Sequence, residues 1–296
     1  MDLSVVVVSY NVRLFLEQCL NSVIKAFGNL SCEVIVVDNN STDGSCSMIT
    51  DTFPSVRLIS NNINAGFSAA CNQGIRISAG EYILLLNPDT VVEESAFSRC
   101  ISFMKEHPLA GAVGVMMVNG KGRFLPESKR AIPTPAAAFF KLTGLSRLFP
   151  GSGIVNRYYL GQTGMSETTE AEVISGAFMF LKKTSLYTIG LLDESYFMYG
   201  EDIDLSYRLL KAGFKNYYFP EVRIVHYKGE STGKGEVKTT VYFYRAMLIF
   251  VNKHYSHGQY RPFLFLIRLA IYCLGFFSVL KNIIFRYFRL LYRKLT

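Results

Sequence analysis

The chain is expected to fold as an α/β protein on a doubly wound sheet, and three features of its 296 residues carry that expectation. Tyr82-Ile-Leu-Leu-Leu86 is apolar or aromatic without alternation, the pattern of a strand covered on both faces in mid-sheet. Through the first 118 residues, short apolar runs of this kind alternate with segments of helical periodicity, the order that yields parallel strands with right-handed crossovers. The runs end in polar turns, so Asp38 and Asp89 fall at carboxyl ends of strands, where open α/β sheets take their ligands.

The elements follow in order. Residues 3–8 are β-rich and end at Ser9-Tyr10-Asn11. Leu16, Leu20, Val23, Ile24 and Phe27 recur at helical spacing and predict a helix lying on the sheet. A second strand over residues 33–37 ends at Asp38, in the turn-rich run Asn39-Asn40-Ser41-Thr42-Asp43-Gly44. A short helix, a strand over 56–60, a loop over 61–66 and a small-residue helix over 67–78 come next. After the strand over 82–86, Pro88 stops the ladder because it has no N–H to donate. A helix over 93–107 and a strand near 112–118 complete the regular half. Beyond it, 121–130 reads as a basic loop, 133–149 as a mixed apolar stretch and 151–169 as loop. Residues 175–181 are expected to be a strand after a tight Ser-Gly-Ala turn, and 222–225 a last strand ending at His226. Between them, 201–213 reads as a helix whose acidic first turn suits its positive end.

Half the residues are hydrophobic, which assures a core and excludes global disorder. The net charge of +8 is unevenly placed. Residues 1–237 carry 21 Lys and Arg against 23 Asp and Glu, a net of −2, whereas residues 238–296 carry ten Lys and Arg and no acid. A near-neutral body with a basic, aromatic-rich tail suits an anionic membrane surface and not a nucleic-acid groove. Two parts are therefore expected, a catalytic domain over 1–237 and an apolar helical tail over 238–296. From Leu269 to Leu280 no residue is charged, which as helix is about 18 Å against a hydrocarbon core of roughly 30 Å. The tail is expected to lie in or dip into the interface, with Arg286, Arg289 and Arg293 on one face and Ile283, Ile284, Phe288 and Leu291 on an apolar one. Cys19, Cys32, Cys46, Cys71, Cys100 and Cys273 form no CxxC pair and read as free thiols of a reducing compartment. With no signal peptide expected at Met1-Asp2, catalysis is placed in the cytoplasm, peripheral on the inner face of the cell membrane.

Asp38 and Asp89 should face one crevice. Acids suit a nucleotide diphosphate there only with a divalent cation between them, and oxygen ligands point to Mg²⁺ or Mn²⁺. His226, also at a strand end, could add an imidazole, which leans toward Mn²⁺. Taken singly, Asp38 is equally a turn residue and His226 a structural histidine. Glu201, Asp202 and Asp204 place three carboxylates in four positions at a helix start, where they repel unless used or solvated. One of them raised in pKa would serve as a general base; the plainer reading is ordinary helix-terminal charge. Gly229-Glu-Ser-Thr-Gly-Lys234-Gly235 fails the Walker A spacing, and no GxGxxG follows a strand.

Val5-Val-Val-Val-Ser-Tyr-Asn11, Val36-Val-Asp-Asn-Asn-Ser-Thr-Asp-Gly44, Asn64-Ala-Gly-Phe-Ser68, Leu85-Leu-Asn-Pro-Asp89, Ser175-Gly-Ala-Phe178, Tyr199-Gly-Glu-Asp-Ile-Asp204 and His226 together resemble glycosyltransferase family 2. The version with Asn-Pro-Asp is similar to the rhamnosyltransferase-like branch that builds bacterial surface polysaccharides. The resemblance covers roughly residues 3–235 and implies a GT-A-type doubly wound mixed sheet. It implies transfer of rhamnose or a similar hexose from a nucleotide-diphosphate donor to a hydroxyl of a glycan or lipid-linked glycan, by one inverting displacement. By the same resemblance Ser9, Tyr10, Asn11 and Asp38 would hold the base and ribose, with Asn64 and Gly66 also on the donor side. Asp89 and His226 would hold the metal, Ser175 and Gly176 line the sugar pocket, Asp202 act as base and Glu201 support acceptor placement. One departure stands out: Asn87 replaces the first acid of the family's Asp-x-Asp, so it is expected to reach the ribose only. Two other classes fit the residues less well. A nucleotidyltransferase would want a Gly-rich basic loop after the first strand, and an inactive sugar-nucleotide-binding member would lack the carboxylates that are present here.

Overall fold

The computed structural model describes residues 1–134, 164–227, 237–256 and 258–295, with no side chains described beyond residue 285. The 229–235 loop, most of the 133–169 stretch and the Arg286, Arg289 and Arg293 face therefore lie outside the described residues.

Four strands begin the sheet: β1 (Leu3–Ser9), β2 (Cys32–Asp38), β3 (Arg57–Ser60) and β4 (Tyr82–Leu86). β1 pairs in parallel with both β2 and β4, and β2 with β3. The later strands are β5 (Thr90–Val92), β6 (Ala110–Val118), β7 (Thr169–Glu170), β8 (Phe178–Lys182) and β9 (Lys215–His226). The full order is β3-β2-β1-β4-β8-β6-β9-β5, with β7 on β9. The regular alternation anticipates a parallel sheet, yet β8 runs antiparallel to both β4 and β6. The sheet is therefore mixed. The chain leaves it after β6 and comes back through the middle in the opposite sense.

β9 and β5 depart most from expectation. β9 is twelve residues long, and only its last part reads as strand in the sequence. Pro220 hides the rest, and its missing N–H is accommodated where the β6–β9 register jumps from Val115–Phe219 to Met116–Arg223. β5 follows Asp89 at once and pairs antiparallel with β9, Thr90 opposite His226.

Helices α1 (Arg13–Lys25), α2 (Ser45–Thr52), α3 (Phe67–Ile77) and α4 (Ala96–Glu106) are the crossovers, and α5 (Lys183–Ile189) and α6 (Glu201–Lys211) belong to the second half. The pleat sorts the strands into two cores. Val5, Val7, Val34, Val36, Leu84 and Leu86 meet Leu16 and Leu20 of α1 and Phe97 of α4 on one face. Val6, Val8, Ile35, Val37, Ile83 and Leu85 meet α3, α5 and α6 on the other. Each such aliphatic side chain contributes about 1.5–3 kcal/mol relative to exposure.

The tail is a helical hairpin of α7 (Val237–His254) and α8 (Leu264–Leu295). Phe250, Val251 and Tyr255 pack with Ile203 and Tyr207 of α6 and with Ile271 of α8, so α7 sits on α6. α8 returns antiparallel along α7. Asn282 Nδ2 donates to Thr240 Oγ1, Tyr244 Oη and Ser278 Oγ lie 2.7 Å apart, and Arg268 Nε donates to Asn252 Oδ1. Tyr260–Phe285 is long and apolar enough to cross a membrane by length and composition, although Arg268 and Lys281 confine the charge-free run to its middle. Only 6% of its apolar 18-residue window is buried, and Phe265, Leu266, Tyr272, Phe276, Phe277 and Phe285 are exposed.

Candidate active site

The strand register sets the first wall of the site. Ser9 lies opposite Asp38, so the ends of β1 and β2 are level. Two turns lace these ends together. The Asn11 backbone N–H donates to Ser41 Oγ at 2.8 Å, and Asn11 Oδ1 accepts from the Thr42 N–H at 2.7 Å. Asp38 is fully buried; its Oδ2 accepts the Ser41 N–H. Its Oδ1 and the Ser9 Oγ are buried with no hydrogen-bond partner among the described residues. Tyr10 is exposed beside them. Buried polar atoms left over at a strand edge are what a polar ligand would satisfy. Asn64 Oδ1 caps the Gly66 N–H, and Asn39 Nδ2 donates to the Gly66 carbonyl. Gly66 has φ +87°, and a Cβ there would lie 2.7 Å from the Phe197 carbonyl oxygen. Only glycine lets this loop approach the 197–200 turn so closely.

β5 builds the second part. Thr90 is held opposite His226, and the Tyr227 N–H donates to the Asp89 carbonyl at 2.9 Å. Asp89 and His226 are both buried, and Asp89 Oδ1 lies 3.3 Å from His226 Nε2. The donor set fits a divalent cation. Adjacent ligands of an octahedral ion bound at about 2.1 Å stand about 3 Å apart, close to this separation. His226 Nδ1 is buried without a hydrogen-bond partner among the described residues. No group of three potential ligands occurs among the described residues, so a cation here would complete its shell with substrate phosphates and water, as Mg²⁺ commonly does.

The third part faces these from β8 and α6. Leu86 pairs with Phe178, and the Asn87 N–H donates to the Ala177 carbonyl, so Ser175 and Gly176 lie at the same sheet edge as Asp89. Tyr199 (φ 69°) and Gly200 (φ 81°) turn the chain into α6, whose first turn presents the three carboxylates in three settings. Asp202 faces the Gly176 loop: its Oδ2 accepts the Gly176 N–H at 3.3 Å and pairs with the Arg130 guanidinium. Glu201 is buried, and burial first, then the neighbouring Asp202 charge, raises its carboxyl to about 8. Its protonated form is thereby favoured. Asp204 points away, into contact with Arg208, Lys253 and His254 at 2.8, 2.9 and 2.7 Å. Burial would raise the Asp204 carboxyl, but the His254 hydrogen bond and the Arg208 and Lys253 contacts outweigh it and bring it down to about 2.

Ser9, Asn11, Asp38, Asn64 and Gly66 thus share one hydrogen-bonded wall. Asp89 joins His226, Asn87 ties the β4 end to the Gly176 loop, and Asp202 stands on Gly176. The sequence reading missed Arg130, which lay unassigned in a basic loop. It also missed Lys253 and His254, which lay in a stretch read only as tail.

Known proteins resemble this chain in sequence and in fold. The family described as Glycosyl transferase family 2 matches residues 4–188. An N-acetylglucosaminyl-diphospho-decaprenol L-rhamnosyltransferase of Mycobacterium tuberculosis is 28% identical over 265 residues, covering 86% of this chain and 85% of that one. A mannosyltransferase from Pyrobaculum calidifontis, solved with GDP-Man and Mn²⁺, superposes with a TM-score of 0.58 at 16% identity, covering 95% of this chain and 72% of that one. GalNAc-T7, solved with UDP, GalNAc and Mn²⁺, gives a TM-score of 0.58 at 17% identity, covering 88% and 50%. The α/β sheet is of the GT-A type, and the chain belongs to glycosyl transferase family 2 as a glycosyltransferase.

Proposed function

We propose that this glycosyltransferase moves rhamnose or a similar hexose from a nucleoside-diphosphate donor to a hydroxyl of a lipid-linked glycan, with inversion at the anomeric carbon. The observation that carries the reading is the placement of the Asp89–His226 pair and of Asp202 against Gly176 at one sheet edge. In this reading Ser9, Tyr10, Asn11 and Asp38 receive the base and ribose, Asn64 and Gly66 shape the donor loop, and the Asn87 amide reaches the ribose. Asp89 and His226 hold Mg²⁺ or Mn²⁺, which when bound supplies positive charge to the departing diphosphate. Ser175 and Gly176 line the sugar pocket. The acceptor hydroxyl oxygen bonds to the anomeric carbon as the carbon–oxygen bond to the diphosphate breaks, and the hydroxyl proton passes to Asp202. Glu201, whose burial favours the protonated form, donates a hydrogen bond to the acceptor and helps to place it.

Two relatives favour the metal and acceptor: the solved mannosyltransferase carries Mn²⁺, and the mycobacterial relative is named for a decaprenol-linked sugar. The tail favours a membrane partner. α7 is docked on the catalytic domain and α8 lies along it, exposing aromatic and aliphatic side chains in a segment that carries ten cations and no acid. Such a surface binds anionic lipid on the inner face of the cell membrane and would bring the site to a lipid-linked acceptor.

The test is a panel of nucleoside-diphosphate sugars, offered with and without a polyprenyl-diphosphate-linked N-acetylglucosamine. The reading expects acceptor-dependent release of the nucleoside diphosphate and an NMR-resolved product of inverted anomeric configuration. A product of retained configuration, or release indifferent to acceptor, overturns it.

A further inference from the structure

Arg130 has no place in the donor, metal or acceptor roles given above, yet its guanidinium meets the candidate base. The backbone delivers it there. Arg130 and Val173 form an antiparallel bridge, with N–H to carbonyl distances of 3.3 and 2.9 Å, which sets Arg130 beside the strand-like approach to Ser175 and Gly176. From this bridge its Nη2 pairs with Asp202 Oδ2, the oxygen that also accepts the Gly176 N–H. Asp202 Oδ1 accepts the Ile203 N–H at 2.8 Å. The Arg130 and Asp202 side chains are 13% and 14% exposed, so water and salt screen the pair far less than a surface ion pair.

This arrangement constrains the carboxylate in two ways. A carboxylate has about four lone-pair sites; three are engaged here, which leaves a single direction from which a hydroxyl can approach. The charge-assisted bond from Arg130 Nη2 also restrains the carboxylate at the one oxygen it reaches, Oδ2. Glu201 lies next to it, buried, and a second negative charge there would be costly.

We propose that Arg130 is a positioning residue for glycosyl transfer, holding the Asp202 carboxylate in place with its open lone pair aimed at the acceptor hydroxyl. The inference rests on the reading of Asp202 as base. Arg130 itself touches neither donor nor reacting atoms in this account, so its loss should appear in kcat and not in nucleotide binding.

A double-mutant cycle tests it. Arg130→Gln alone should lower kcat roughly 10- to 100-fold, the scale of a catalytic group displaced by about 1 Å, with the Kd for nucleoside diphosphate within about twofold of wild type. Arg130→Lys, which keeps the charge on a shorter and more flexible side chain, should recover part of the loss. In an Asp202→Asn background, Arg130→Gln should cost nothing further, because there is no carboxylate left to position. If the Gln variant does not fold, as judged by its melting transition, the same cycle is run with Arg130→Lys. Losses that multiply independently, or a loss of nucleotide affinity, overturn the role of Arg130 and leave the base assignment standing. Near-normal kcat in Asp202→Asn alone overturns the base assignment, and this inference with it.

Discussion

Asp204→Asn separates the acids of α6 by consequence. Asp204 is fully buried against Arg208, Lys253 and His254, and its carboxyl is brought from the ordinary 3.8 to about 2. At about 1.36 kcal/mol per pKa unit, that depression is worth about 2 kcal/mol at neutral pH. Removing one partner of a buried charged network also leaves the others uncompensated, and such losses run to about 3–5 kcal/mol. The substitution should therefore destabilise the protein by about 2–4 kcal/mol. The sign with pH follows from the depressed value. The Asp204 contribution is complete above its ordinary pKa near 4 and is lost as pH falls toward 2, so the gap between the two proteins should narrow in acid. Urea unfolding of wild type and variant from pH 7 down to pH 3 measures this. Below its melting transition the variant should bind nucleoside diphosphate normally, because Asp204 faces α7 and not the cleft. A variant as stable as wild type but unable to bind donor would show that Asp204 belongs to the site and that the α6–α7 network has been misjudged.

Three further outcomes are expected. Excess EDTA should abolish transfer and Mn²⁺ or Mg²⁺ restore it, with Asp89→Ala losing nucleotide affinity as well as rate; full turnover in EDTA contradicts this. Glu201→Gln should gain stability relative to wild type as pH rises from about 4.5 to about 8, because a carboxyl raised to about 8 in the folded state resists ionisation that the unfolded chain undergoes freely; melts compared across that range would show no trend if Glu201 were solvated. A chain ending near Tyr260 keeps α7 and lacks α8, and it should bind nucleotide yet fail to float with anionic vesicles at low salt; a full-length chain that ignores such vesicles removes the membrane from the account.

The first 89 residues are largely legible in the sequence for a physical reason. β1, β2 and β4 are covered on both faces, so each reads as an unbroken apolar run, and the polar residue that ends it lies at the ligand-binding edge by construction. β9 is legible only at its end, because Pro220 interrupts the pattern at a bulge that only the pairing with β6 explains. β5 is three residues long, and its existence depends on a partner far along the chain. At α6 the sequence shows three acids together but not their directions. Successive helical residues turn by about 100°, so Asp202 and Asp204 point to nearly opposite sides, and what each meets depends on Arg130 and on the tail. Neither partner has a local signal. The same distance along the chain hides the docking of α7, whose Lys253 reaches Asp193 as well as Asp204.

The account rests most heavily on Asp202 as the base of a glycosyl transfer whose donor is held elsewhere. Steady-state kcat and nucleoside-diphosphate Kd, measured side by side for wild type, Asp202→Asn and Glu201→Gln, test it most directly. Asp202→Asn keeps the shape and removes proton acceptance, so kcat should fall by at least ~10²-fold while Kd stays within about twofold. A crippled Glu201→Gln beside a near-normal Asp202→Asn would contradict the account and move the base to the buried neighbour.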